Sequence, residues 1–326
     1  MDKIYHNNLN VSAAPHQVSP LNTQKVMLTV IIALIPALAV GVFQFGFRAL
    51  VLTAVCVISC VVFEYLMNML CKKEQTVGDL SAVLTGVLLA CNLPAGLPFW
   101  IAVVGSFCAI VVVKGLFGGL GQNFANPAVT ARIFMFIAFA TEMTTWPVAK
   151  GTGVDAVTAA TPLGELSAAG GDLSAVTVSN MDLFLGNTGG CLGEVSALAL
   201  LIGGIFLIWR GIITWHIPVS FLATVAVLGL IWGGVDGMFF HLFAGGAMLG
   251  AFFCATDYVT SPTLPLGKII FGIGCGLFTM LIRIFASYPE GVSFAILLMN
   301  ILTPYIDQIT EGRLFPMPKP AKGEDK

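Results

Sequence analysis

The sequence predicts an all-α polytopic membrane protein: about ten transmembrane helices in two inverted five-helix repeats, with broken third and eighth helices. Three observations lead there. Of 326 residues, 57% are hydrophobic and only 10% charged, with a mean hydropathy of +0.93. A soluble domain carries roughly 25% charged residues, so a water-facing surface cannot be built from this chain. Apolar segments recur near the roughly 20 residues needed to cross hydrocarbon. Two of them run into proline-containing breaks at matching places in the two halves.

Residues 1–25 form a polar segment without the charged and apolar blocks of a cleavable signal, so the first span is expected to direct insertion. The first repeat, 26–145, holds apolar segments at 26–46, 49–70, 80–93, 98–116 and 127–145. The third is short and ends in Asn92-Leu93-Pro94-Ala95-Gly96-Leu97-Pro98. Residues 146–193 form a polar loop dominated by Ala, Gly, Ser and Thr. The second repeat, 194–309, holds segments at 194–209, 212–232, 237–256, 266–284 and 290–309, and residues 310–326 form a tail. Its third segment ends in Thr256-Asp257-Tyr258-Val259-Thr260-Ser261-Pro262-Thr263-Leu264-Pro265. Breaks at membrane depth require protein or a cavity to satisfy the freed backbone groups. Leu97-Pro98 with Gly105 matches Leu264-Pro265 with Gly272 at the same offset. Five spans per repeat, an odd number, place the halves in opposite orientations, with a site expected between the breaks.

Orientation follows from the cations. With the N-terminus inside, the inner side receives Lys3, Lys25, Lys72, Lys73, Lys114, Arg210, Lys268, Arg313, Lys319, Lys322 and Lys326. The outer side receives Arg48, Lys150 and Arg283, and Arg132 falls within a span. The positive-inside rule then makes both termini cytoplasmic and the 146–193 loop external. The eight cysteines form no Cys-x-x-Cys pair and read as small buried hydrophobes. The four histidines show no metal spacing, so no metal is assigned and no catalytic constellation emerges.

Ionisable residues inside spans need a partner or a purpose. Glu64 and Asp257 read either as ion-paired or hydrogen-bonded structural groups or as members of an ion pathway. The run Gly115-Leu116-Phe117-Gly118-Gly119-Leu120-Gly121-Gln122-Asn123 is too irregular for a dinucleotide fingerprint; its glycines read as allowing close helix approach or lining a cavity. In the external loop, Thr161 precedes Pro162, which favours an extended backbone, and Asp155 and Thr158 lie six and three residues upstream. A hydroxyl near a carboxylate can accept a phosphoryl group, although a small-residue surface loop is an equally simple reading.

Asp155-x-x-Thr158-x-Ala160-Thr161 resembles the flavinylation motif, in which an FMN transferase joins FMN by a phosphoester to the final hydroxyl. Its fifth position is usually Gly and here is Ala159. Gly119 to Ala128, Gly186 to Ser196, Ala255 to Pro262 and Tyr288 to Ala295 resemble the D-subunit family of Rnf electron-transport complexes. That family is homologous to the B subunit of the sodium-pumping NADH:quinone oxidoreductase, whose longer N-terminal extension this chain does not share. The resemblance implies a flavoprotein of a bacterial cytoplasmic membrane, carrying covalent FMN on Thr161 with Asp155 and Thr158 as motif positions. It further implies a non-covalent riboflavin, partner membrane, flavin and iron–sulfur subunits, and export of Na⁺ or H⁺ driven by ferredoxin oxidation and NAD⁺ reduction. No nucleic-acid partner and no catalysis by this chain alone are expected. Gly189, Gly190 and Glu194 are expected to pack against the flavin. A solute channel or transporter is the competing class, because inverted repeats with broken helices are a transporter pattern. The two readings join if flavin reduction biases a membrane element that gates ions past Glu64 and Asp257.

Overall fold

A computed structural model describes residues 22–147, 161–286 and 290–314. Every regular element among them is helical, and Pro94 and Cys191 form an isolated antiparallel bridge. Helix α1 (Thr23–Phe45) starts where Asn22 accepts the Lys25 N–H at 3.2 Å. It stops at Gly46, whose φ of +77° turns the chain directly into α2 (Phe47–Leu70). After α3 (Ser81–Cys91) comes the first break. Helix α4 (Phe99–Phe107) then continues as a π-helix, Cys108–Gly115. Asn126 caps α5 (Pro127–Ala138), accepting the Ala128 and Val129 N–H groups, with Pro127 at the first helical position. Short helices α6 (Ala140–Met143), α7 (Pro162–Ala168) and α8 (Asn180–Leu185) lead to the second half.

That half comprises α9 (Ala197–Trp209), α10 (His216–Phe243), α11 (Ala247–Leu249) continuing as a π-helix over Gly250–Cys254, α12 (Pro265–Phe285) and α13 (Val292–Leu314). Helices α1, α2, α10, α12 and α13 are long and apolar enough to cross a bilayer; 81–91, 99–115, 127–138 and 197–209 are shorter apolar helices. The chain is thus an all-α polytopic membrane protein that combines long and half-length helices. Of the seventh and eighth apolar segments, only the eighth departs from the expectation. Helix α10 covers the seventh and the start of the eighth, kinking between them at Gly233-Gly234, where Gly234 has φ +63°. The kink is sharp enough to lay Gly237 against Gly229, with a Cβ on Gly229 lying 3.0 Å from the Gly237 oxygen. In a straight helix those residues are about 12 Å apart. A further break, Ala244 to Gly246, then separates α10 from α11, with Gly245 at φ +63°.

Small residues let the helices approach, as membrane packing requires. Gly272 and Gly276 of α12 lie on Ser220 and Thr224 of α10, so the two run parallel; a Cβ on Gly276 would sit 2.8 Å from the Phe221 oxygen. The first half repeats this pairing: Ser106 of α4 reaches the Cys56 carbonyl of α2 at 3.5 Å, and Lys114 reaches Glu64 further along.

The two breaks find partners within the protein. Cys191 to Gly193 fold back along the first one, with Leu192 N–H donating to Leu93 O at 3.0 Å and Gly193 N–H to Cys91 O at 2.9 Å. At the second, Asn126 donates to Cys254 O at 3.1 Å and Thr303 to Thr260 O at 3.0 Å. A Cβ on Gly193 would collide with Cys91, 2.7 Å from its sulfur and 2.8 Å from its Cα. Gly193→Ala is therefore expected to cost about 1–3 kcal/mol by overpacking, whereas Gly78→Ala, with nothing within 4 Å, costs far less. Thermal unfolding of the detergent-solubilised chain checks this; equal midpoints for the two variants would refute the close packing of loop on break.

Candidate functional site

Two polar centres lie inside the helical body. The first is where the loop meets the ends of α5, α10, α12 and α13. Thr161 (φ −74°, ψ 152°) is the N-cap of α7, and its Oγ1 accepts the Gly164 N–H at 3.1 Å. Leu163 and Leu166 of α7 bury against Leu183, Phe240 and Ala244, which fixes the helix and hence the hydroxyl. Thr161, Thr188, Gly189, Gly190, Glu194 and Glu290 line one small cavity of ≈ 20 Å³. The structure therefore gathers four of the sequence candidates, Thr161, Gly189, Gly190 and Glu194, at one place. Asp155 and Thr158 lie outside the described residues.

Beneath this cavity sits a cluster of buried charge. Arg132 of α5 donates to Asn92 Oδ1 at 3.2 Å, Ser293 Oγ at 3.0 Å and Cys191 Sγ at 3.2 Å, and it pairs with Glu290. Glu194 accepts the Cys191 N–H through Oε1 at 3.1 Å, while its buried Oε2 has no partner among the described residues. Arg283 donates to the carbonyls of His241 and Ala244 at 2.6 and 2.8 Å, holding the unexpected break after α10. Two arginines thus balance two glutamates. Cys191, Glu194 and Glu290 bring metal-type ligand atoms within 4.8 Å of one another, but the Arg132 guanidinium already occupies the cation's place beside Cys191 and Glu290.

The second centre is a larger cavity of ≈ 270 Å³ between α1, α3, the turn before α5 and the segment 252–259. Its wall is mostly apolar, with Ser81, Lys114, Asn123, Asn126, Thr256 and Asp257 among its polar groups. That composition suits a small organic ligand. Asp257, partly buried, accepts from the Val259 N–H and from Thr260 Oγ1 at 3.3 Å. Glu64 lies one layer behind the wall and is ion-paired: Lys114 Nζ is 2.8 Å from its Oε1 and 2.8 Å from Ser81 Oγ. The glycine-rich run serves packing at Gly115, where a Cβ would lie 3.0 Å from Met67 of α2, and the backbone beyond it. Gly118, Gly119 and Gly121 have φ of +128°, +113° and +83°, and only the last lines the cavity.

Sequence reasoning counted Lys114 and Arg283 as loop charges; both are buried, with relative exposures of 4% and 6%. Glu290 and Thr188 were not singled out. A cation inside the apolar run 98–116 and an acid opening the last span were the available signals, but neither has a visible partner in one dimension.

The chain matches the sequence profile of the NQR2, RnfD, RnfE family over residues 10–316. It is 51% identical over 314 residues to the D subunit of the Na(+)-translocating ferredoxin:NAD(+) oxidoreductase complex of Acetobacterium woodii, covering 96% of each chain. Identity is 42% over 319 residues to the D subunit of the proton-translocating ferredoxin:NAD(+) oxidoreductase complex of Clostridium ljungdahlii, with 95% of this chain and 96% of that one aligned. It is 37% over 345 residues to the D subunit of the ion-translocating oxidoreductase complex of Actinobacillus succinogenes, with 93% and 97% aligned.

The Arg132–Glu290 pair yields a stability prediction. Arg132→Met strands a buried carboxylate and is expected to cost about 3–5 kcal/mol. Adding Glu290→Gln removes that charge, so the double variant should unfold at a higher temperature than Arg132→Met alone. Strictly additive losses in a thermal double-mutant cycle would show that the two groups do not interact.

Proposed function

The chain belongs to the NQR2, RnfD, RnfE family, and on that premise we propose that it is the D subunit of an Rnf-type ion-translocating ferredoxin:NAD⁺ oxidoreductase. It works as one subunit of that complex, beside membrane, flavin and iron–sulfur partners, in a bacterial cytoplasmic membrane. Both termini face the cytoplasm and the 146–193 loop faces outward. The cation distribution supports this orientation even with Lys114 and Arg283 removed from the loops.

The observation that carries the flavin reading is the placement of Thr161: a buried, helix-capping hydroxyl on a cavity wall beside Gly189 and Gly190. An FMN transferase forms the phosphoester there, directed by Asp155 and Thr158. Esterification replaces the hydroxyl proton and leaves Oγ1 able to accept the Gly164 N–H, so linkage and helix cap coexist. A cavity of ≈ 20 Å³ has room for about one water, so the flavin ring lies outside it. The side-chain-free Gly189-Gly190 backbone permits close approach, and Arg283, 3.3 Å from the Cβ position of cavity-lining Gly245, sits near the anionic linkage. The larger cavity, apolar with a few fixed polar groups, takes the non-covalent riboflavin. Bound flavins supply reversible electron acceptance, while the protein positions them and sets their electrostatic surroundings. Glu64 and Asp257, on opposite sides of that cavity wall, belong to the pathway of the exported ion. That ion is Na⁺ or H⁺, since relatives are named for each.

In-gel flavin fluorescence after denaturing electrophoresis tests the linkage, with each chain co-expressed with an FMN transferase. The native chain and Thr161→Ser, which keeps both hydroxyl and cap, are expected to fluoresce, and Thr161→Ala is expected to be dark. A fluorescent Thr161→Ala band would move the attachment elsewhere. A dark native band, with the transferase active on another target, would remove covalent FMN from this chain.

A further inference from the structure

Lys114 is the buried cation that neither the flavin linkage nor the external charge cluster uses. It projects from the π-helix Cys108–Gly115, a geometry frequent at functional sites, and its side chain meets two environments. One is the large cavity, whose wall it forms together with Ser81. The other is a pocket of oxygen atoms: Glu64 Oε1 and Ser81 Oγ, each 2.8 Å from Nζ. Thr76 Oγ1 donates to the same Glu64 oxygen at 2.8 Å and is itself held by Asn68 at 3.0 Å. Glu64 Oε2, in a residue only 4% exposed, has no partner among the described residues. Two carboxylate oxygens and two hydroxyls make the ligand set of a hard cation, and a lysine ammonium now fills it. Thr76 is partly exposed and follows the exposed residues 72–75, so the site borders the end of the body that carries that loop.

We infer that Glu64, Thr76 and Ser81 form a binding site for a hard monovalent cation of the Na⁺ type, and that the Lys114 ammonium occupies it as a tethered competitor. The inference rests on the flavin reading for what moves Lys114. An electron delivered to a flavin in the cavity by a neighbouring redox group of the complex adds one negative charge beside Lys114. The flexible lysine stem lets the ammonium turn toward that charge, and one Na⁺ replaces it at Glu64. When the electron passes to the next redox group, the ammonium returns and expels the ion. Charge balances at each step: one electron and one Na⁺ enter, and one of each leaves.

The test measures ²²Na⁺ bound to the purified complex by equilibrium dialysis, oxidised and after chemical reduction in sodium-free buffer. Wild type is expected to gain one Na⁺ per chain only on reduction. Lys114→Met should hold that ion in both states, and Lys114→Arg should exclude it again when oxidised. If oxidised Lys114→Met complex binds no more Na⁺ than wild type, the tethered-competitor site is wrong. Should Lys114→Met not assemble, labelling of Glu64 by a hydrophobic carbodiimide in the wild type decides. Labelling that rises on reduction and falls with added Na⁺ supports the site, and labelling indifferent to both overturns it. Acid-extractable flavin is measured in parallel: its absence defeats the riboflavin reading, while the oxidised-state Na⁺ comparison still judges the site.

Discussion

The fold turns on one buried guanidinium. Arg132 joins α5 to three parts of the chain that are remote in sequence: the first break through Asn92, the loop through Cys191, and the start of α13 through Glu290 and Ser293. An arginine is suited to this, having five donors in a rigid fork and a charge that persists inside a protein. Without it, the Glu290 carboxylate and the Asn92 side chain would lose their shared donor at the meeting point of the two halves. The end of the loop is consequently part of the helical body. Its Cys191 to Gly193 stretch supplies the hydrogen bonds that the first break cannot make for itself.

The same constraint, that backbone polar groups in hydrocarbon need partners inside the protein, explains why breaks and polar residues coincide. Where α3 stops, loop amides pair with the exposed carbonyls. Where the π-helix after α11 stops, Asn126 serves one carbonyl and Thr303 another. Where α10 stops, Arg283 serves two. Each solution brings polar side chains to membrane depth, and the two cavities lie beside those places. Satisfying the broken backbone and building a ligand site are thus one structural event in this chain.

The helical body keeps its two centres apart. Thr161, Glu194, Arg283 and Glu290 gather at the end that carries the loop, whereas Lys114, Asn123 and Asp257 gather at the opposite one. Between them the core is apolar, packed through small residues such as the Gly272–Gly276 pair of α12. Two redox groups at these centres would be separated by protein rather than water, with charged residues beside each.

The sequence alone determined the class of molecule and much of its anatomy. Composition left no possibility of a soluble surface, and proline placed the breaks after α3 and before α12, because proline lacks an N–H and restrains the residue before it. Thr161 stands out as a candidate because a hydroxyl before proline, in a seven-residue pattern, is a local signal. That Gly189, Gly190 and Glu194 share a cavity with Thr161 is a matter of folding, although their place where the loop meets the sixth span pointed to them. Tertiary structure decided what required a partner from elsewhere in the chain. The kink at Gly233-Gly234 falls in the gap between the expected seventh and eighth segments, but the break at Gly245 lies in a run whose hydropathy reads as uninterrupted span. Lys114 and Arg283 count as loop charges in one dimension, and only folding reveals the Glu64 carboxylate and the carbonyls of His241 and Ala244 that hold them in the interior. Hydropathy records how much a residue dislikes water; it cannot record which group, far away in the chain, makes burial tolerable.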